Sequence, residues 1–203
     1  MRRGRCHAFL THSVLSSARS PTTSMGPPFQ DITTYAHGIV GRGVLLDIPR
    51  LLDVNWLEPG QAVTADKLQQ CERAQGVQLR QGDIFVFRTG HHRRRLELGP
   101  WNNGYDGEGK AGLHVSSIQL LHERKVAAFF LDGDGDTVPS RVEGVAYPIQ
   151  IVAMGMICAD SLNLEDVSPY ARRNAGGSFL LLAPHFDCHG ELDPASIRSR
   201  SSN

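Results

Sequence analysis

Short, almost wholly apolar runs, separated by turn and helix signals, constrain this chain more than any other feature. They are Gly43-Val44-Leu45-Leu46-Asp47-Ile48-Pro49, Ile84-Phe85-Val86-Phe87-Arg88-Thr89-Gly90, Val126-Ala127-Ala128-Phe129-Phe130-Leu131 and Ser178-Phe179-Leu180-Leu181-Leu182-Ala183-Pro184. Runs of this length read as strands, the first three of them buried in a sheet. Gly41 and Gly43 allow a tight entry into the first.

Helix signals stand between the runs. Thr64 has the character of an N-cap, with Asp66 in the first turn, Leu68 and Cys71 three apart on one face, and Gly76 as a stop, so a helix is predicted over about 65–75. Leu57-Glu58-Pro59-Gly60 and Arg80-Gln81-Gly82-Asp83 read as turns. A second helix is expected over about 115–124, with Ile118, Leu120 and Leu121 apolar. Residues 91–112 are polar and glycine-bearing and read as one long surface loop. Residues 148–157 are apolar and fit helix or strand, and the polar end 191–203 reads as a frayed tail. Strands alternating with helices point to an α/β domain, without internal repeats.

The chain has 203 residues, which suits one domain plus tails. No apolar run reaches the roughly 18 residues of a membrane helix, so no membrane partner is expected. Its 21 Lys+Arg balance 21 Asp+Glu, but unevenly. Residues 1–30 hold Arg2, Arg3, Arg5 and Arg19 and no acid, which leaves 17 basic and 21 acidic residues in 31–203, a net of −4. An acidic body argues against nucleic acid as a partner. The Arg- and Ser-rich segment 1–30 is read as a disordered or mis-assigned N-terminal extension, with Met25 as an alternative start. A cytoplasmic location is expected, or a mitochondrial one if 1–30 is a transit peptide. Four cysteines without paired spacing (Cys6, Cys71, Cys158, Cys188) fit a reduced compartment rather than a disulfide framework.

Three clusters could carry chemistry. Asp132, Asp134 and Asp136 alternate with glycine after a strand, but Thr137 stands where a calcium loop needs glycine, so an Asp-Gly turn at a strand end is preferred. His185, Asp187, Cys188 and His189 crowd one loop with no zinc spacing. His91-His92-Arg93-Arg94-Arg95 could meet an anion, although a solvated loop is preferred. Cys71 and Cys158 sit in apolar settings and read as core residues. No nucleophile elbow or phosphate loop occurs. Residue types and spacings alone name no reaction and no catalytic residue.

Taken together, several segments resemble the cyclase family of metal-dependent hydrolases, which includes kynurenine formamidase (arylformamidase). They are Gly38–Arg50, Gly82-Asp83-Ile84 with Arg88-Thr89-Gly90, and Gly99-Pro100-Trp101. Further along come Ala111-Gly112-Leu113-His114, Asp132 with Pro139-Ser140, Ile151–Met156 and Leu162-Asn163-Leu164-Glu165. Their order covers roughly residues 37–184, within a domain placed at 31–190. The resemblance implies a swivelling β/β/α fold, here incomplete, and homo-oligomers. It also implies hydrolysis of a small amide or lactone-like substrate, such as N-formylkynurenine in tryptophan catabolism, with zinc or manganese as cofactor. A metal would lower the pKa of a bound water and a histidine would move the proton.

The family's ligand motif, His-x-Gly-Thr-His-x-Asp-x-Pro-x-His, does not occur in this sequence, where only His7, His12 and His37 lie upstream of Gly38. Pro148-Ile149-Gln150-Ile151 stands where the family has Pro-x-His. The family acid is matched by Asp160, and His37, His185 and His189 are the substitute ligands that could join it. Little or no activity is therefore expected, and a chain that holds no metal is one expected outcome. An incomplete copy of a hydrolase is preferred, then a non-catalytic binding or oligomerisation module, then an enzyme with substitute ligands.

Overall fold

The apolar runs form a five-stranded sheet in the computed structural model, which describes residues 38–99, 109–133, 135–139, 154–174 and 177–183. The chain divides into two units, Gly41–Leu181 and Met1–Val40 with Leu182–Asn203. Nearly all the described residues belong to the first unit, which holds the core and the strand ends.

The strands are β1 (Ile39–Asp47), β3 (Ile84–Arg88), β5 (Ala128–Leu131), β6 (Ile157–Ala159) and β7 (Ser178–Ala183), in the order β6-β5-β3-β1-β7. A separate two-stranded parallel sheet joins β2 (Ala62–Val63) to β4 (Gly112–Leu113). The helices are α1 (Ile48–Leu51), α2 (Ala65–Gln75), α3 (His91–Leu98), α4 (Ser116–Glu123) and α5 (Val167–Asn174). Pairing is parallel from β1 through β3 and β5 to β6. At β7 the direction reverses: the Leu45 N–H donates to the Gly177 carbonyl, while Gly43 lies against Phe179 and Leu181. The sheet is α/β and mostly parallel, as the apolar runs imply. Among the described residues no helix is long and apolar enough to cross a membrane.

Register explains why the runs lack alternation. Val44 pairs with Phe85 and Phe85 with Phe129, while Leu46 pairs with Phe87 and Phe87 with Leu131. These side chains share one face and join Leu68 and Cys71 of α2 and Leu120 and Leu121 of α4 in a single core cluster. The opposite face is also closed to water, with Leu45, Val86 and Phe130 at most 3% exposed. Sheets covered on both faces need apolar residues at consecutive positions. Each such side chain contributes about 1.5–3 kcal/mol of transfer free energy.

Helix α2 follows its sequence signals closely. The Thr64 hydroxyl accepts from the Lys67 N–H, and Gly76 closes the helix with φ of 68°. Buried Glu72 accepts from the Leu79 N–H and pairs with Arg124, so α2 is tied to the turn before β3 and to the end of α4.

Two expectations need correction. The predicted loop 91–112 begins instead with an eight-residue helix, α3, and residues 100–108 lie outside the described part. Its polar sequence hides it: only His91 is buried, Leu96 and Leu98 are exposed, and Arg93 and Glu97 form an i,i+4 pair. The helix is fixed by where β3 delivers it rather than by an apolar stripe. Pro49 likewise does not close a strand but sits in the first turn of α1, where proline's missing N–H costs nothing. Of the ambiguous segment 148–157, the described end turns at Met154 and enters β6 at Ile157.

Candidate functional site

In an open parallel sheet, ligand sites gather at the carboxyl ends of the strands. Here those ends carry charge: Asp47 closes β1, Arg88 closes β3, Asp132 follows β5 and Asp160 follows β6. Asp47 and Arg88 are register partners on adjacent strands.

Arg88 is 6% exposed and held by two carboxylates. Its Nη1 donates to Asp47 Oδ1 at 3.0 Å. Nη2 and Nε reach the two oxygens of Glu165 at 2.8 and 3.3 Å, a bidentate grip. Burial works against its charge, but Glu165 and Asp47 outweigh burial and hold the guanidinium above its ordinary pKa. Asp47 is 1% exposed and also accepts from the Arg50 N–H, capping α1, and from the Ser168 hydroxyl of α5. One carboxylate thus ties together β1, β3, α1 and α5.

Asp132 forms a second clip between β5 and the turn after β3. Its carboxylate accepts from the Thr89 N–H and hydroxyl, both at 2.8 Å, and from the Gly90 N–H at 2.7 Å. Gly90 has φ of 80°, and a Cβ there would sit 2.6 Å from the Asn55 carbonyl oxygen, so glycine is required. Burial pushes the Asp132 pKa up from 3.8 to about 6, against the lowering effect of the Thr89 and Gly90 hydrogen bonds. Below about pH 4 the carboxyl is protonated in both folded and unfolded chains; as pH rises from about 4 to about 6 only the unfolded chain releases its proton, so stability falls. Urea midpoints between pH 4 and 7 are expected to show this slope in the wild type and not in an Asp132→Asn variant. A wild-type-minus-variant difference that does not change with pH would refute this account of Asp132.

A cavity of about 360 Å³ opens over the first cluster. It is lined by Asp47, Arg88 and Glu165, by Arg50, Val54 and Asn55 beyond β1, by Arg93 of α3, and by Ser168, Pro169 and Arg172 of α5. A larger, open cavity of about 740 Å³ lies beside the start of β1 and the turn before β3, lined by Arg42, Glu72, Arg73, Arg80 and Arg124 among others. The smaller one shares the strand ends with the charged cluster.

The residues singled out from sequence fare differently. Asp160 is half-buried at the carboxyl end of β6, and its charge, after burial, helps to push the Cys158 thiol up to about 12. His37, His185 and His189, with Asp187, Cys188, Asp134, Cys6 and the segment 1–37, lie outside the described residues. Asp132 spends its oxygens on Thr89 and Gly90, which fits the Asp-Gly turn rather than a calcium site. Burial pushes the Cys71 thiol up to about 12, consistent with a core role. Among the described residues no three His, Cys, Asp or Glu side chains are grouped so as to hold a metal ion, so these residues do not by themselves fit the zinc or manganese implied by the resemblance. The Asp47–Arg88–Glu165 cluster was not singled out from sequence. Its traces there are a lone charge in each of two apolar runs and the place of all three residues in segments that carry the family resemblance.

Comparison with known proteins places this architecture. The Cyclase family model, described as "Putative cyclase", matches residues 16–134, more than half of the chain. The crystal structure of a novel cyclase is 22% identical with a TM-score of 0.60, over 73% of this chain and 48% of that one. Isatin hydrolase A from Labrenzia aggregata, bound to benzyl benzoate, is 19% identical with a TM-score of 0.52, over 77% and 57%. Isatin hydrolase A from Ralstonia solanacearum is 19% identical with a TM-score of 0.50, over 73% and 55%. At these identities the likeness is one of fold. The chain spans about half the length of these structures. No curated protein matches the sequence.

Proposed function

This chain belongs to the cyclase family, and from that premise we propose that its scaffold is that of a metal-dependent hydrolase acting on small amides or lactones, while the 203-residue chain itself turns over little or no substrate. The scaffold half of the reading is supported by the family match over residues 16–134. Its finer form is arylformamidase-like cleavage of the formamide of N-formylkynurenine. Isatin, the cyclic amide named for two of the similar structures, falls in the same chemical class. In either substrate water adds to an amide carbonyl and the C–N bond breaks.

The inactive half rests on one observation: the family's His-x-Gly-Thr-His-x-Asp-x-Pro-x-His ligand motif is missing from the sequence. A zinc or manganese ion in a complete site would supply a water of lowered pKa. Asp160 with His37, His185 or His189 would have to rebuild that site, and ligands work only when neighbouring groups orient them. A second reading, a non-catalytic binding module on the same scaffold, is favoured by the strand-end cavity, which is lined by arginines rather than by histidines.

The test is direct. Purified chain is mixed with N-formylkynurenine or isatin and zinc or manganese, and absorbance is followed. No turnover above that of the metal alone is expected; turnover that needs the protein and is abolished by a chelator would contradict the proposal.

A further inference from the structure

We propose that the cavity at the carboxyl ends of β1 and β3 binds a small organic anion, its acidic head on Arg50 and Arg172 and its apolar body against Val54 and Pro169. Four arginines and two carboxylates line this cavity. Both carboxylates are committed to Arg88, Asp47 through Nη1 and Glu165 through Nη2 and Nε. Arg93 pairs with Glu97 at 2.7 Å. Among the described residues Arg50 and Arg172 have no acidic partner, and both are exposed at the cavity.

A planar guanidinium donates two parallel hydrogen bonds to a carboxylate or phosphate, and two such forks on one cavity favour an anion over a cation or neutral molecule. The cavity's frame is tied together through Asp47. Arg50 extends from α1, which Asp47 caps, and Arg172 from α5, which Ser168 fastens to the same Asp47. About 360 Å³ is near the lower end for ligand cavities, which suits a molecule of roughly ten non-hydrogen atoms rather than a nucleotide or a polymer. Val54, 48% exposed, and Pro169 offer apolar surface beside the arginines. Binding here needs no metal, so it stands apart from the hydrolase reading and does not depend on it.

The experiment is a calorimetric titration of the full chain, in the presence of EDTA, with benzoate, phenyl phosphate, inorganic phosphate and sodium chloride. Benzoate or phenyl phosphate is expected to saturate one site, the tighter of the two naming the acidic head, with inorganic phosphate and chloride at least about tenfold weaker. An Arg50→Gln/Arg172→Gln variant should lose at least about tenfold in affinity, and each single variant should lose part of this. Arg73→Gln, in the larger cavity, should bind like the wild type. Circular dichroism verifies that each variant is folded, and since both arginines are exposed the single variants keep the test open if the double variant is not. Absence of saturation by both organic anions, equal affinity in folded double and single variants, or an equal loss in Arg73→Gln would overturn the proposal. Inorganic phosphate binding as tightly as benzoate and phenyl phosphate would overturn the assignment of an organic body.

Discussion

Replacing Arg88 with Met is expected to destabilise the chain by about 3–5 kcal/mol, read as a drop in the urea midpoint. The methionine fills much of the volume of the arginine stem, so the cost is mainly electrostatic. Asp47, 1% exposed, loses the 3.0 Å donor that balances its charge. The Arg50 N–H and the Ser168 hydroxyl remain, but neither is a cation. Glu165 is more exposed and can turn to water, so most of the loss belongs to the Asp47 pair. That division is testable. A variant carrying both Arg88→Met and Asp47→Asn should recover part of the loss, because a buried pair removed together costs less than one partner removed alone. If Arg88→Met alone shifts stability by less than about 1 kcal/mol, the cluster is not the tie between β1, β3 and α5.

Phe129→Ala should cost a similar amount, about 3–5 kcal/mol, through a different mechanism. Phe129 has no exposed surface and sits on β5 between β3 and β6. Its ring centroid lies 5.2 Å from that of Phe85 and 6.0 Å from that of Phe87. Truncation opens a cavity under α2 and α4 and removes two aromatic contacts, each worth about 0.5–1.5 kcal/mol. A domain of ordinary stability, about 5–15 kcal/mol, is left marginal by such a change. Thermal unfolding should show a much lower midpoint, and Phe129→Leu should fall between the two. A midpoint close to that of the wild type would mean that this face of the sheet is not the packed core.

The fold was legible where local chemistry decides it. Fully apolar runs of strand length mark β1, β3 and β5, because a sheet covered on both faces needs no polar side; the run of β7 marks an edge strand instead, with Leu180 and Leu182 exposed. Helix α2 announces itself through Thr64 and Gly76, which satisfy its end groups by local hydrogen bonds. Helix α3 was not legible. His91-His92-Arg93-Arg94-Arg95 looks like a loop because the helix buries only His91 and gains its position from β3. The charged cluster was illegible for another reason. Asp47 and Arg88 are 41 residues apart and Arg88 and Glu165 are 77 apart, so only strand register and the return of the chain after β6 bring them together. Asp160 could be matched to a family ligand from sequence, whereas the histidines named with it lie outside the described residues.

The chain carries a cyclase-family scaffold, and the proposal that it lacks the family's complete metal site can be checked on the purified protein. The most direct test is its metal content. The purified 203-residue chain is equilibrated with zinc and manganese, dialysed, and analysed by elemental mass spectrometry beside a circular dichroism check of folding. A folded chain retaining well below one metal ion per molecule is expected. One tightly held zinc or manganese per chain would contradict it.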